Sequence, residues 1–174
     1  MIPTTMTALV HREYGGADVL KLESLSVPSP TPNQVLVLIS AASLNPADIY
    51  LMQGQPGILR FGMGLRKPKP RVPGSDFAGE VVAVGKNVTD WKPGDRVFGA
   101  AATGSLAQFA TARAGHIAHL PSGLNPAHAA ASVMAALAAH DGLVAGGLDP
   151  AMDATGQQVL IIGGSGGIGS FAIQ

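Results

Sequence analysis

Proline and glycine fall so closely along the first 120 residues that short strands joined by turns are what this stretch can build. The chain of 174 residues carries 23 glycines and 13 prolines, about twice the average share. Proline has no N–H to continue a helix or a central strand, and glycine accepts the positive φ that tight turns require. Between these residues the apolar pattern has period 2. Met6 to Arg12 opens with an apolar run, Leu20, Leu22, Leu25 and Val27 alternate with polar neighbours, and Val35, Val37 and Ile39 share one face. The prolines at 28, 30 and 32 leave no helix option before that third strand. Val81 to Val84 and Arg96 to Phe98 are two more strands, joined through Lys92-Pro93-Gly94-Asp95, and residues 108–120 complete the set. Many short, mostly antiparallel strands with such turns form a partly closed barrel.

The pattern changes at Leu124. Asn125 caps a helix that starts at Pro126 and runs through an alanine-rich stretch to Gly146 and Gly147, with a break expected near Gly142. A loop over 148–156 leads to residues 158–162, a continuous apolar run of the kind buried on both faces of a parallel sheet. That strand enters Gly164-Ser165-Gly166-Gly167-Ile168-Gly169, a G-x-G-x-x-G pattern that opens a short helix with Ile168, Ala172 and Ile173 facing inward. After an apolar strand and before a helix, these glycines make the tight turn, admit a pyrophosphate close to the backbone and let helix and strand pack closely. Gly164, Ser165, Gly166, Gly167, Ile168 and Gly169 are therefore the expected cofactor-binding residues. The residue that separates NAD from NADP belongs about 20 positions further on.

Composition removes other classes. Eleven Lys plus Arg balance eleven Asp plus Glu, so no cationic excess favours nucleic acid. No run of 18 or more strongly apolar residues suggests a membrane span, and the first ten residues lack a secretory pattern, which makes the cytoplasm the expected location. The absence of cysteine excludes disulfides and thiolate metal sites. Arg60, Arg66, Lys67, Lys69 and Arg71 lie together with no acidic residue between Asp48 and Asp76. Prolines 68, 70 and 73 favour a solvated loop there, with a cleft-rim patch for an anionic cofactor as the alternative.

Six segments in order carry a family resemblance: residues 6–23, LNPADIYLMQG at 44–54, VPGSDFAGEVVAVG at 72–85, WKPGDRVFG at 91–99, GSLAQFA at 104–110 and VLIIGGSGGIGSFAIQ at 159–174. Together they resemble the N-terminal half of the zinc-independent medium-chain dehydrogenase/reductases, in the quinone oxidoreductase (zeta-crystallin-like) and NAD(P)-dependent alcohol dehydrogenase branch. The implied architecture is mainly β with α/β. Residues 1–124 form a GroES-like catalytic domain, 125–157 a connecting helix and loop, and 158–174 the first strand, turn and helix of a Rossmann domain.

The resemblance implies hydride transfer between NAD(P)H and a quinone, enone or related carbonyl compound, with NADP(H) ahead of NAD(H) and no metal. Zinc-dependent relatives place Cys and His where this chain has Ala47 and Ser75, and the five histidines read as surface or packing residues. Asn45 and Tyr50 match cleft positions: Asn45 would hold the carboxamide or ribose, and the Tyr50 hydroxyl would donate to the substrate oxygen. The residues alone equally allow Asn45 as a turn residue before Pro46 and Tyr50 as a half-buried barrel residue. Asp48 organises or caps the turn over residues 45–49. Expected partners are a small-molecule substrate and, in the full-length enzyme, further copies of itself, with neither nucleic acid nor membrane. The competing expectation is a non-catalytic fragment or truncated GroES-like module unable to bind cofactor by itself.

Overall fold

The computed structural model describes residues 1–69, 72–148 and 156–174. Six strands, β1 (Thr5–Val10), β2 (Lys21–Ser26), β3 (Gln34–Ala42), β4 (Asp76–Val84), β5 (Arg96–Ala101) and β6 (Phe109–His119), precede or flank four α-helices, α1 (Pro46–Gln53), α2 (Arg60–Met63), α3 (Pro126–Ala145) and α4 (Gly167–Ile173). Strands β3, β4, β5 and β6 close into an antiparallel barrel, with β6 returning to pair with β3. β1 and β2 form a separate antiparallel ribbon. β1 is tied to the barrel side through hydrogen bonds with the 106–108 segment: Leu9 N–H donates to the Leu106 carbonyl at 2.9 Å and Gln108 N–H to the Thr7 carbonyl at 3.1 Å.

The alternation read from the sequence sorts side chains into two clusters. Val35 and Val37 point into the barrel with Phe77, Val81, Val97 and Ala112. Leu36, on the opposite face of β3, joins Met6, Ala8, Val10 and Phe109 outside the barrel wall. β3 is thus apolar on both faces where it begins, because one face fills the barrel and the other carries the ribbon. A third cluster sets Ala78 and Leu120 against Ala129 and Ala130 at the start of α3.

The expected turn at residues 92–95 forms, with Gly94 at φ 95° and the Asp95 carboxylate accepting from the Lys92 N–H at 2.9 Å. Asn125 caps α3 through a 2.8 Å bond from the Ala127 N–H to its side-chain oxygen. The helix does not break at Gly142, whose carbonyl accepts from Gly146 N–H at 3.0 Å; one interior glycine costs only about 1 kcal/mol relative to alanine. It stops at Gly146 and Gly147 as expected, with Gly147 left-handed at φ 87°.

Two further sequence expectations change. Residues 158–162 form no strand, because a strand needs hydrogen-bonded partners and none is present among the described residues. Ile168 and Ile173, expected inward, are largely exposed, since without that strand they have no sheet to pack on. Residues 149–155 of the expected loop, with Pro70 and Arg71, lie outside the described residues. The chain divides into two compact units, residues 1–131 and 132–174. Among the described residues no helix is long and apolar enough to cross a membrane.

Candidate functional site

Helix α1 was not expected as a helix, yet its signals are in the sequence: Asn45 before Pro46, an acid three residues after the cap, and Gly54 after the last turn. Asn45 is extended, with φ −116° and ψ 156°. Its N–H donates to Asp48 Oδ2 at 2.8 Å, while the Asp48 N–H donates to the Asn45 carbonyl at 2.9 Å. Asp48 therefore takes the capping role expected of it. The Asn45 side chain does something else: Nδ2 donates to Asp76 Oδ2 at 2.9 Å. Ser75 Oγ donates to the other oxygen of Asp76 at 3.1 Å. Asn45 thereby links the start of α1 to the start of β4.

The opposite end of α1 is clasped from outside. The Gly15 N–H donates to the Met52 carbonyl at 3.3 Å, and Arg60 donates to the Gln53 carbonyl at 3.1 Å and the Gly54 carbonyl at 3.0 Å. These are the acceptors a helix C-terminus leaves open. The Arg60 guanidinium lies 4.4 Å from the centre of the Tyr14 ring, and the Tyr14 hydroxyl donates to the Gly64 carbonyl at 2.6 Å. Arg60 is thus a helix cap and no member of a solvated patch, whereas Arg66, Lys67 and Lys69 are exposed.

A cavity of about 460 Å³ opens beside α1, walled among others by His11, Asp48, Met52, Lys69, Ser75 and Thr103. The volume is within the range of small-molecule sites. Asp48 forms part of this wall, whereas neither Asn45, bonded to Asp48 and Asp76, nor Tyr50 is among its lining residues. Tyr50 stands on the exposed side of α1, 55% accessible, and is a helix residue, not a barrel residue. The histidines divide: His116, His119, His128 and His140 are exposed, while His11 is buried and lines the cavity. Period-2 reasoning gave no signal for it, because β1 ends at Val10 and the alternation does not extend to the next residue.

Burial pushes the Asp48 carboxyl above its usual range, and the nearby Asp76 carboxylate acts in the same direction, against the N–H groups of Asn45 and Gly74 that favour the charged form. The folded chain therefore holds a proton where the unfolded chain has already lost it. The resulting stability is fully present below the unfolded pKa and is lost as pH rises through the folded one. Asp48→Asn does not titrate, so its deficit in urea midpoint relative to the parent should narrow as pH rises through this window. A deficit constant with pH contradicts the assignment.

In the second unit, Gly163 adopts φ 83°, and the Gly166 N–H donates to the Gly163 carbonyl at 2.9 Å. Gly166 precedes α4. A Cβ at Gly169 would run into the Gly163 carbonyl oxygen and stand 2.8 Å from both Gly163 C and Gly164 Cα. No side chain fits there, which is what close packing of a helix on a glycine turn demands. Gly164, Ser165, Gly167 and Ile168 complete the turn and the first residues of the helix. On this geometry the residues fit a dinucleotide's phosphates.

Comparison with known proteins agrees with this picture. The alcohol dehydrogenase GroES-like domain matches residues 31–140. The tomato (Solanum lycopersicum) 2-methylene-furan-3-one reductase is 39% identical over 183 residues, covering 99% of this chain and 44% of the relative. The Arabidopsis thaliana chloroplastic NADPH-dependent alkenal/one oxidoreductase is also 39% identical over 183 residues, covering 99% of this chain and 45% of the relative. The solved quinone oxidoreductase of Coxiella burnetii superposes with a TM-score of 0.81 at 31% identity, covering 97% of this chain and 52% of that one. The chain spans about half the length of the relatives it matches. Barrel, profile match and relatives agree: the chain belongs to the alcohol dehydrogenase GroES-like domain family, among the medium-chain dehydrogenase/reductases.

Proposed function

We propose that the chain is the catalytic part of an NADP(H)-dependent oxidoreductase that reduces small enones, quinones or related carbonyl compounds without zinc. The observation that carries this reading is the 39% identity, over 99% of the chain, with a relative named an NADPH-dependent alkenal/one oxidoreductase. The cavity beside α1 supports it, being the right size for a small substrate and lined by both apolar and polar groups.

Residues 1–124 act as the catalytic domain, 125–157 connect, and 158–174 begin the cofactor domain. When bound, the reduced nicotinamide supplies a hydride. The chain's own residues bind and orient. The backbone of Gly164, Ser165, Gly166, Gly167, Ile168 and Gly169 holds the phosphates. Asn45, fixed by Asp48 and Asp76, steadies the carboxamide or ribose. The accessible Tyr50 hydroxyl donates to the substrate oxygen, and Leu51, Met52 and Val72 exclude water from the apolar part of the cavity. Substrate and cofactor are small molecules, so nucleic acid and membrane have no part in the reaction, and the full-length enzyme associates with copies of itself.

A second reading, that these 174 residues do not hold the cofactor on their own, is favoured by the missing strand at 158–162 and the exposure of Leu160 and Ile162. Calorimetric titration with NADPH and NADH decides between the two. Micromolar binding of NADPH by the 174 residues, tighter than NADH, supports cofactor binding by this chain. No binding here, with binding in a longer chain that completes the cofactor domain, supports the second reading. No binding in either sinks the oxidoreductase proposal.

A further inference from the structure

We propose that His11 is a catalytic residue: its Nε2 donates the proton that completes reduction of an enone held in the cavity beside α1. The proposal rests on the reading of enone reduction given above. His11 is 2% exposed and still forms part of the cavity wall. Its Nδ1 stands 3.3 Å from the Glu13 carbonyl oxygen. A carbonyl only accepts, so Nδ1 carries the hydrogen directed at it, and Nε2 is the ring nitrogen left to face a ligand.

Nε2 has no hydrogen-bond partner among the described residues. It is also not sealed in the protein, because the partnerless polar side-chain atom fully enclosed among those residues is Ser105 Oγ. Nε2 is therefore accessible, on a residue that forms part of the cavity wall. The other polar groups of the wall are engaged elsewhere. Asp48 accepts from the Asn45 N–H at 2.8 Å, Ser75 Oγ donates to Asp76 at 3.1 Å, and Thr103 Oγ1 accepts from the Thr111 N–H at 3.0 Å. Lys69 is exposed at the rim. Imidazole is also the side chain that exchanges a proton most readily near neutral pH.

The electron count closes. When bound, the reduced nicotinamide would supply a hydride for a C–H bond at the β-carbon and be left oxidised, and the C=C π pair would shift to give an enolate. The enolate then takes the Nε2 proton of the His11 imidazolium at its α-carbon, and neutral His11 regains a proton from water.

The test uses the full-length enzyme with NADPH and 2-methylcyclohex-2-enone in D2O. The parent should place deuterium on one face of the α-carbon. His11→Gln should lower kcat by about 10²–10⁴, the usual contribution of a general acid, leave the KM for NADPH unchanged, and protonate both faces of the residual product. A variant that keeps parental kcat and single-face deuteration overturns the proposal. Because a buried histidine also packs, a second measurement leaves it in place: ¹⁵N NMR of the parent chain titrated with the same enone, without cofactor. The His11 Nε2 resonance should move while Nδ1 stays, and a stationary Nε2 at saturation overturns the proposal. A shifted Nε2 in a full-length enzyme that never oxidises NADPH with any enone overturns the oxidoreductase reading and the proton transfer with it, leaving cavity binding intact.

Discussion

Phe77→Ala should lower stability by about 3–5 kcal/mol, the usual cost of removing a buried phenylalanine ring, and so consume much of the roughly 5–15 kcal/mol available to a typical domain. Phe77 is fully buried among Val35, Val37, Val81, Val97 and Ala112. Its strand is paired on both sides, with Ala42 of β3 and Gly99 of β5 opposite it. Ala42 and Gly99 are small, and a closed barrel has no free edge that can move inward, so the void persists and adds its cavity term. Urea unfolding should show the midpoint falling with an unchanged slope. Phe61→Ala is the control: that ring is 78% exposed, and its removal should change stability by no more than about 0.5 kcal/mol. Equal losses at the two positions contradict the assigned core.

Gly169→Val should weaken NADPH binding by the full-length enzyme by about 100-fold or more, at about 1.4 kcal/mol per factor of ten, while the barrel unfolds at its usual midpoint. The atoms that a side chain at Gly169 would meet are backbone atoms of Gly163 and Gly164, which cannot rotate away, so the turn itself must open. Gly167→Ala separates this effect from contact with the ligand. A Cβ at Gly167 would meet nothing nearer than the Ala135 side chain at 4.0 Å, and alanine favours the helix that starts there. Any loss of affinity in that variant reports the phosphate's approach to the backbone, and calorimetry reads both. Unchanged affinity in Gly169→Val removes the turn from the binding site.

The barrel strands were legible where β-branched residues alternate, as at Val35 and Val37. β4 was read only from Val81, although it begins at Asp76. Asp76, Gly79 and Glu80 are poor strand formers, and they masked the alternation that buries Phe77. Helix α1 hid for another reason: its apolar residues form no clear stripe, so the period-3.6 signal is absent and only its caps mark it. The apolar run at 158–162 misled in the opposite sense, because hydrophobicity proposes a strand and only a partner makes one. At the site, the capping role of Asp48 was readable from spacing. The cavity was not: its wall draws on residues from His11 to Gly104, and only the closing of the barrel brings them together. For the same reason His11 read as a surface or packing residue.

The closed barrel also determines how the protein behaves at high concentration. A ring of strands offers no open ladder to a neighbouring molecule, and the far side of β1 is bonded to the 106–108 segment. What stays unpaired among the described residues is the outer edge of the six-residue β2, whose outward-directed backbone donors and acceptors are of the kind that recruits strands from other chains. Leu22 stands on it, 72% exposed, between Lys21 and Glu23, and Glu23 is held by both nitrogens of an Arg12 fork at 2.9 and 2.7 Å. Charged residues beside an exposed leucine on an open ladder act as gatekeepers against aggregation. Replacing Lys21, Glu23 and Arg12 by apolar residues is therefore expected to expose this edge to strand pairing between molecules without touching the cavity, none of the three lining it.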